Sequence, residues 1–255
     1  MTFQGKVALV TGAGSGMGQL AARRLGAAGA SVAALDDDDD GLDTTAHRAP
    51  QIRVSHCDVT DADMVASVVK EVEAELGPID RVLNAAGICL PGRLLDQPVE
   101  QIERSMAVNY LGTVHVVKAV LPSMLERGRG DLVTFASVAG WIPTTELGAY
   151  TATKFAVVAF TEILEHENRG RGVRFACVCP PVVDTPMITR LTNGPNTLLH
   201  QRRISPAAVI DAIERGLERG ELFVFPGRGT KTVVRARRLF PRAIWRRVDK
   251  AERGQ

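Results

Sequence analysis

The strongest constraint in this sequence is a steady alternation of short β-rich runs with longer helical stretches, kept up almost to residue 225. The pattern predicts strands over 6–11, 31–36, 52–56, 81–84, 132–137, 173–179 and 222–225. Several are apolar nearly throughout, which suits parallel strands covered on both faces. Between them, 61–76 places Met64, Val65, Val68, Val69 and Val72 on one helical stripe, and further helices are expected over about 99–127 and 149–168. Strand and helix in strict alternation imply an α/β fold, a doubly wound seven-stranded parallel sheet with right-handed crossovers. The 255 residues suit one large domain, and no internal repeat or long linker divides them.

Charge is unevenly spread. Residues 228–255 hold ten Lys/Arg against two acids, leaving 21 basic and 27 acidic residues in the remainder. The chain therefore reads as a mildly acidic body, 1–229, followed by a basic tail, 230–255. Nothing in the body resembles a nucleic-acid footprint. No apolar run approaches the roughly 18–20 residues of a membrane-spanning helix, and the opening Met1–Lys6 lacks the apolar stretch of a signal peptide. Cys57, Cys89, Cys177 and Cys179 show no metal-ligand spacing. Buried thiols in a reducing cytoplasm are the simplest reading, and no metal is expected.

The first strand runs into Thr11-Gly12-Ala13-Gly14-Ser15-Gly16-Met17-Gly18, which opens a helical stretch. Glycines at such a turn let a backbone approach a pyrophosphate, and a helix N-terminus supplies unpaired N–H groups and a favourable dipole. The second strand ends at Asp36, 18 residues past Gly18. A carboxylate there can accept both adenosine ribose hydroxyls and would repel a 2′-phosphate, so a Rossmann-type NAD site is expected rather than an NADP site. Neither Ser15 nor Asp37 offers the cation that NADP would want. Residues 37–40 read instead as a solvated helix start. Asp58-Val59 after the third strand could meet the adenine amino group, and Asn84-Ala85-Ala86-Gly87 closes the fourth with small residues.

Tyr150 and Lys154 are four residues apart, so phenol and ammonium fall on one helix face. A cation beside the phenol would favour phenolate and lower its pKa. Ser137, thirteen residues earlier at a strand end, could hydrogen-bond a carbonyl or alcohol oxygen. Asn109 lies within a long helix, where a buried amide needs partners.

Taken together, the glycine-rich turn, Asn84-Ala85-Ala86-Gly87, Asn109, Ser137 and Tyr150/Lys154 resemble the short-chain dehydrogenase/reductase family from about residue 6 to 225. The resemblance implies that Tyr150 is the general acid/base and that Lys154 holds the nicotinamide ribose and depresses the Tyr150 pKa. It further implies that Ser137 orients substrate, that Asn109 positions a water in a proton relay, and that Val183 and Thr185 hold the carboxamide. Pro181 stands where the family usually has glycine, and 37–49 is short for the family's second helix. The expected reaction is hydride transfer between NAD(H) and a secondary alcohol or ketone. The rival readings are an NADPH-dependent ketoreductase and, from another class, a non-catalytic dinucleotide sensor.

Val138, Trp141, Ile142, Leu147, Pro181, Met187 and Leu191 are the expected substrate-lining residues, which favours a hydrophobic substrate. Residues 184–204 lack periodicity and read as a loop, either a substrate lid or a plain connection. The family resemblance implies a homodimer or homotetramer through the two long helices. In the tail, Val233, Ala236, Phe240, Ile244 and Val248 recur at helical spacing, and Pro241 should divide it into two short helices. The preferred reading is an amphipathic tail docked on protein and dispensable for hydride transfer. Attraction to anionic lipid and recruitment of an anionic substrate are the alternatives.

Overall fold

The computed structural model describes residue 3, residues 6–191 and residues 194–252. In chain order the elements are β1 (Val7–Thr11), α1 (Gly16–Ala27), β2 (Ser31–Asp36), α2 (Asp39–Ala46), β3 (Ile52–His56), α3 (Ala62–Leu76) and β4 (Ile79–Asn84). Then come α4 (Val99–Met106), α5 (Gly112–Arg127), β5 (Gly130–Phe135), α6 (Gly148–Glu167) and β6 (Val173–Val178). The chain continues through α7 (Pro186–Thr189), α8 (Asn196–Leu199), α9 (Pro206–Glu218), β7 (Phe223–Val224), α10 (Thr230–Leu239) and α11 (Pro241–Glu252).

The seven strands form one parallel sheet in the order β3-β2-β1-β4-β5-β6-β7. Side chains alternate across the pleat. Ala8, Val10, Val32 and Ala34 pack on one face with Leu25 of α1 and Ile213 of α9. Val7, Leu9, Ala33 and Leu35 pack on the other with Val69 of α3 and Val117 of α5. Two covered faces explain why β1 is buried at every residue. The edge strand β3 is largely exposed, and the charged and polar residues of Ile52-Arg53-Val54-Ser55-His56 blunt that edge.

An ion-pair ladder fixes the register of three strands near their amino ends. Arg81, Asp131 and Arg174 stand opposite one another on β4, β5 and β6. Arg81 donates to Asp131 from Nε at 2.8 Å and Nη2 at 2.6 Å, and Arg174 Nε donates to the other Asp131 oxygen at 2.6 Å. Glu214 of α9 takes the remaining Arg81 contact at 2.7 Å, and the Phe3 ring covers the guanidinium.

The fifth strand lies two residues earlier than expected, at Gly130–Phe135, so Ser137 follows the strand rather than ending it, and three further differences stand beside it. The helix expected over 99–127 is interrupted by a π-helical turn, Ala107–Leu111, centred on Asn109. Within 184–204 lie two one-turn helices, α7 and α8, and an isolated bridge between Val183 and Ile204, while residues 192 and 193 are outside the described set. Lastly, the strand at 222–225 contracts to Phe223–Val224, since only these residues pair with β6. Residues 37–40 do begin a helix: Asp38 caps α2 by accepting the Gly41 N–H, with Asp39 and Asp40 in its first turn.

Replacing Asp131 with alanine leaves Arg81 and Arg174 facing each other without their shared carboxylate. Breaking such a buried pair costs about 3 kcal/mol or more. Urea unfolding of Asp131→Ala should show that loss as a lower midpoint at unchanged slope. An unchanged midpoint would show that the ladder does not hold the sheet.

Candidate active site

The site forms along the carboxyl ends of the central strands, where the order reverses between β1 and β4. Gly12 turns the chain out of β1 with φ +65°, and a Cβ there would lie 2.7 Å from the Ala86 nitrogen. The absence of a side chain thus lets the β1 and β4 turns touch. Thr11 completes the join: its hydroxyl donates to Asn84 Oδ1 at 2.6 Å and accepts the Ala86 N–H at 3.1 Å.

A groove of about 440 Å³ runs over this join. Gly12, Ser15, Gly16, Met17, Gly18, Asp36, Asp58, Val59, Ala85, Gly87 and Thr185 line it. Ser15 stands at the N-terminus of α1 without bonding its side chain to the helix, and no acidic residue occupies the first turn. The first-turn N–H groups therefore keep their capacity for an anion, which fits a dinucleotide diphosphate. Asp36 is part-buried and accepts the Gly14 N–H at 2.7 Å and the Asp38 N–H at 3.0 Å. Burial and, less strongly, the neighbouring Asp37 raise the pKa of this carboxyl, against the lowering effect of those two N–H groups. Asn84 does not line the groove. It is buried against Thr11, with its Nδ2 lacking a partner among the described residues.

Arg104 of α4 was not expected here. It lines the groove and reaches Asp58 at 3.5 Å and Asp37 at 3.9 Å. Against the effect of burial, the Thr60 N–H and hydroxyl and then Arg104 hold the Asp58 carboxyl below its ordinary value. Arg104 lies 46 residues from Asp58, and no local pattern announces that meeting.

Met17, Ala85, Gly87, Cys89, Thr185 and Met187 also line a second, adjoining cavity of about 460 Å³. Tyr150, Lys154, Ser137 and Val183 line this one. Lys154 is buried at the first turns of α6 and donates to the Phe135 carbonyl at the end of β5, 2.8 Å away. Burial pushes its ammonium down to about 8, with nearby Cys177, Cys89 and Cys179 acting the other way. The Nζ lies 5.6 Å from the centre of the Tyr150 ring.

The expected depression of the Tyr150 pKa is not found in this geometry. Burial raises the phenol above its ordinary value, Cys89 adds to the rise, and the Ser137 hydroxyl opposes it. Burial outweighs the nearby cation, whose hydrogen bond goes to the Phe135 carbonyl rather than to the phenol.

Ser137 caps the short helical turn Val138–Gly140 by accepting the Ala139 N–H at 3.1 Å. That turn rests against α6 at Gly140, where a Cβ would stand 2.7 Å from the Lys154 carbonyl oxygen. Asn109 is fully buried and lines neither cavity. Its Oδ1 accepts the Ile88 N–H at 2.8 Å, and its Nδ2 donates to Ile88 O and Thr153 Oγ1, both at 3.0 Å. The π-helical turn thus ties the β4 loop to the helix that carries Tyr150.

Of the expected substrate-lining residues, Val138, Ile142, Leu147, Pro181 and Met187 line the second cavity. Trp141 instead packs on Phe223 and Phe225 and donates Nε1 to Cys179 Sγ at 3.2 Å, and Leu191 lines the groove. Sequence reasoning missed that Arg228, just before the tail, and Val233, Ile244, Arg247 and Val248 within it line the cavity. The tail is docked on its own body, as expected, and lines the second cavity.

Residues 6–196 match the family model of the short chain dehydrogenases, and the chain belongs to that family of oxidoreductases. It is 37% identical over 205 residues to an uncharacterised oxidoreductase of Staphylococcus epidermidis, covering 80% of this chain and 89% of that one. An uncharacterised oxidoreductase of Staphylococcus aureus is 34% identical over 210 residues, covering 82% and 89%. Among solved structures, a short chain dehydrogenase/reductase from Burkholderia phymatum in complex with NAD shares the fold, with a TM-score of 0.86 at 24% identity over 95% of this chain and 96% of that one. An actinorhodin polyketide ketoreductase variant with NADPH gives 0.79 at 28% identity over 88% and 97%.

The Gly140 contact yields a sharp expectation. Gly140→Ala must push the Ser137 turn away from α6, and displacement of about 1 Å near a reacting centre can cost on the order of 10²-fold. Turnover should fall by that order while NADH binding, followed by its fluorescence, changes little. Unaltered turnover would show that the turn has room to spare.

Proposed function

We propose that the chain transfers a hydride between NAD(H) and a secondary alcohol or ketone with a mainly apolar body. One observation carries this reading: the glycine-turn groove and the Tyr150 cavity adjoin, sharing Met17, Ala85, Gly87, Cys89, Thr185 and Met187 as lining residues. A dinucleotide lying in the groove would supply the hydride-exchanging carbon at that junction.

The chain's own part is binding, orientation and proton transfer. The turn 12–18 receives the diphosphate at the N-terminus of α1, and Asp36 receives the adenosine ribose. Asp58 and Val59 border the adenine, Asn84 supports the Ala85–Gly87 turn from beneath, and Val183 and Thr185 border the nicotinamide. Tyr150 gives its hydroxyl proton to the carbonyl oxygen as it gains charge, and recovers it in the alcohol direction. Ser137 donates a hydrogen bond to the same oxygen. Lys154 binds the nicotinamide ribose and keeps positive charge near Tyr150. Both Nδ2 hydrogens of Asn109 and one Oδ1 lone pair are already in use. A water in the proton relay would take the other lone pair.

Asp36, Asp37 and Asp38 all border the groove, which supports NAD(H) over NADP(H). The NADPH-dependent reading draws on Arg104, although its charge is shared with two of the groove's carboxylates. Leu111, Phe155 and Ile163 are exposed on the long helices, which supports association of copies through that face. The four free, buried thiols fit a reducing cytoplasm. Among the described residues no helix is long and apolar enough to cross a membrane, and no cluster of metal-ligating side chains is present.

The test is a panel of secondary alcohols and ketones assayed by absorbance with both cofactors. NAD(H) should be preferred, and Tyr150→Phe should lose at least about 10²-fold in turnover while still binding NADH. Near-normal turnover in that variant, or tighter binding of NADPH than NADH by the unaltered chain, would overturn the corresponding half of the reading.

A further inference from the structure

The tail decides what the cavity can hold. Residues Val234 of α10 and Ile244 of α11 are buried against Ile142, fastening both helices beside the turn that follows Ser137. The far end is fastened too. Glu252 accepts the Asn196 N–H at 2.6 Å, the Thr197 N–H at 3.0 Å and the Thr197 hydroxyl, so it closes the start of α8 on the opposite rim. The cavity is therefore walled by the body on one side and by the tail on the other.

Its charge is one-sided. Among the described residues no acidic side chain lines it, whereas three cations do: Lys154, Arg228 and Arg247. Lys154 sits at the inner end and is engaged by Phe135. Arg228 and Arg247 are exposed at the mouth, and neither forms an ion pair or hydrogen bond with another described residue. The tail acid Glu252 is engaged by α8. Between mouth and Tyr150 the walls are mainly apolar, including Ile142, Leu147, Ile188, Val233 and Val248. A guanidinium matches a carboxylate or phosphate with paired donors, and two unpaired ones at an apolar channel draw anions towards it.

We infer that the substrate is an apolar alcohol or ketone with a terminal anionic group, which Arg228 and Arg247 hold at the mouth while the reacting carbon reaches Tyr150. The inference rests on the reading of the Tyr150 cavity as the alcohol or ketone site. It also makes the tail a specificity element: without residues 230–252 the cavity loses both its outer wall and Arg247.

Calorimetry on the full chain tests the anion site without any turnover. Decanoate and decyl phosphate are compared with decanol, whose chain is the same and whose head is neutral. Decanoate, decyl phosphate or both should bind about tenfold tighter than decanol, as expected for one charged hydrogen-bonded pair, and the tighter of the two identifies the head group. In the Arg228→Gln/Arg247→Gln double variant this advantage should vanish, with decanol binding and the thermal midpoint preserved. Equal binding of all three by the unaltered chain, or an advantage that survives the double substitution, would overturn the inference. Such a failure leaves the Tyr150 reading standing, whereas full turnover in Tyr150→Phe would remove that reading and leave the anion measurement intact.

Discussion

Three charged residues at one end of the sheet determine what can happen at the other. Because Arg81, Asp131 and Arg174 face one another across β4, β5 and β6, those strands cannot slip without stranding a buried charge. A slip of one residue would also turn every core side chain to the wrong face. With register set, the strand ends fall at matching levels. Asn84, Phe135 and Val178 end the three strands, and the turns that follow carry Ala85, Ser137 and Pro180 into one line. The ladder thus lies near the amino ends of these strands, opposite the turns that line the groove and the cavity.

Close backbone approach then converts matched strand ends into a site. At Gly12 the first turn touches the fourth strand's turn, and at Gly140 the Ser137 turn touches α6. The two contacts set the glycine-rich groove and the Ser137–Tyr150 pair on one common frame. Lys154 adds the third tie, a buried ammonium held by the Phe135 carbonyl. Burial makes that cation easier to deprotonate and the Tyr150 phenol harder to ionise. This differs from the phenolate expected from sequence spacing alone. Spacing shows that two side chains share a helix face, but it cannot show which acceptor the ammonium chooses.

Local patterns made most of the architecture legible. Apolar runs such as Val7–Thr11 betray a strand buried on both faces, and Asp36 at the end of β2 could be read as a site residue because its neighbours formed a plain strand. The division of the tail at Pro241 followed from the ring's own geometry. What stayed hidden is long-range. Arg104 meets Asp58 only because α4 crosses the groove, and nothing in 99–106 distinguishes it from any solvated helix. Asn109 reads as an ordinary helical amide until the π-helical turn turns it towards Ile88 and Thr153. Arg228 and Arg247 looked like members of a basic tail, and only the packing of Val234 and Ile244 on Ile142 shows that they border the cavity. Apolar periodicity signals that a segment docks, but not where.

The central claim is that groove and cavity are one site, with the nicotinamide end of the cofactor at Lys154. Titrations of NADH and ADP against the unaltered chain and Lys154→Met test it without knowledge of the substrate. ADP carries the adenosine and diphosphate assigned to the groove but lacks both the nicotinamide and its ribose. The account predicts that Lys154→Met weakens NADH binding by about tenfold or more, the scale of one lost charged hydrogen bond, and weakens ADP distinctly less. Equal losses for both ligands, or no loss for either, would contradict it.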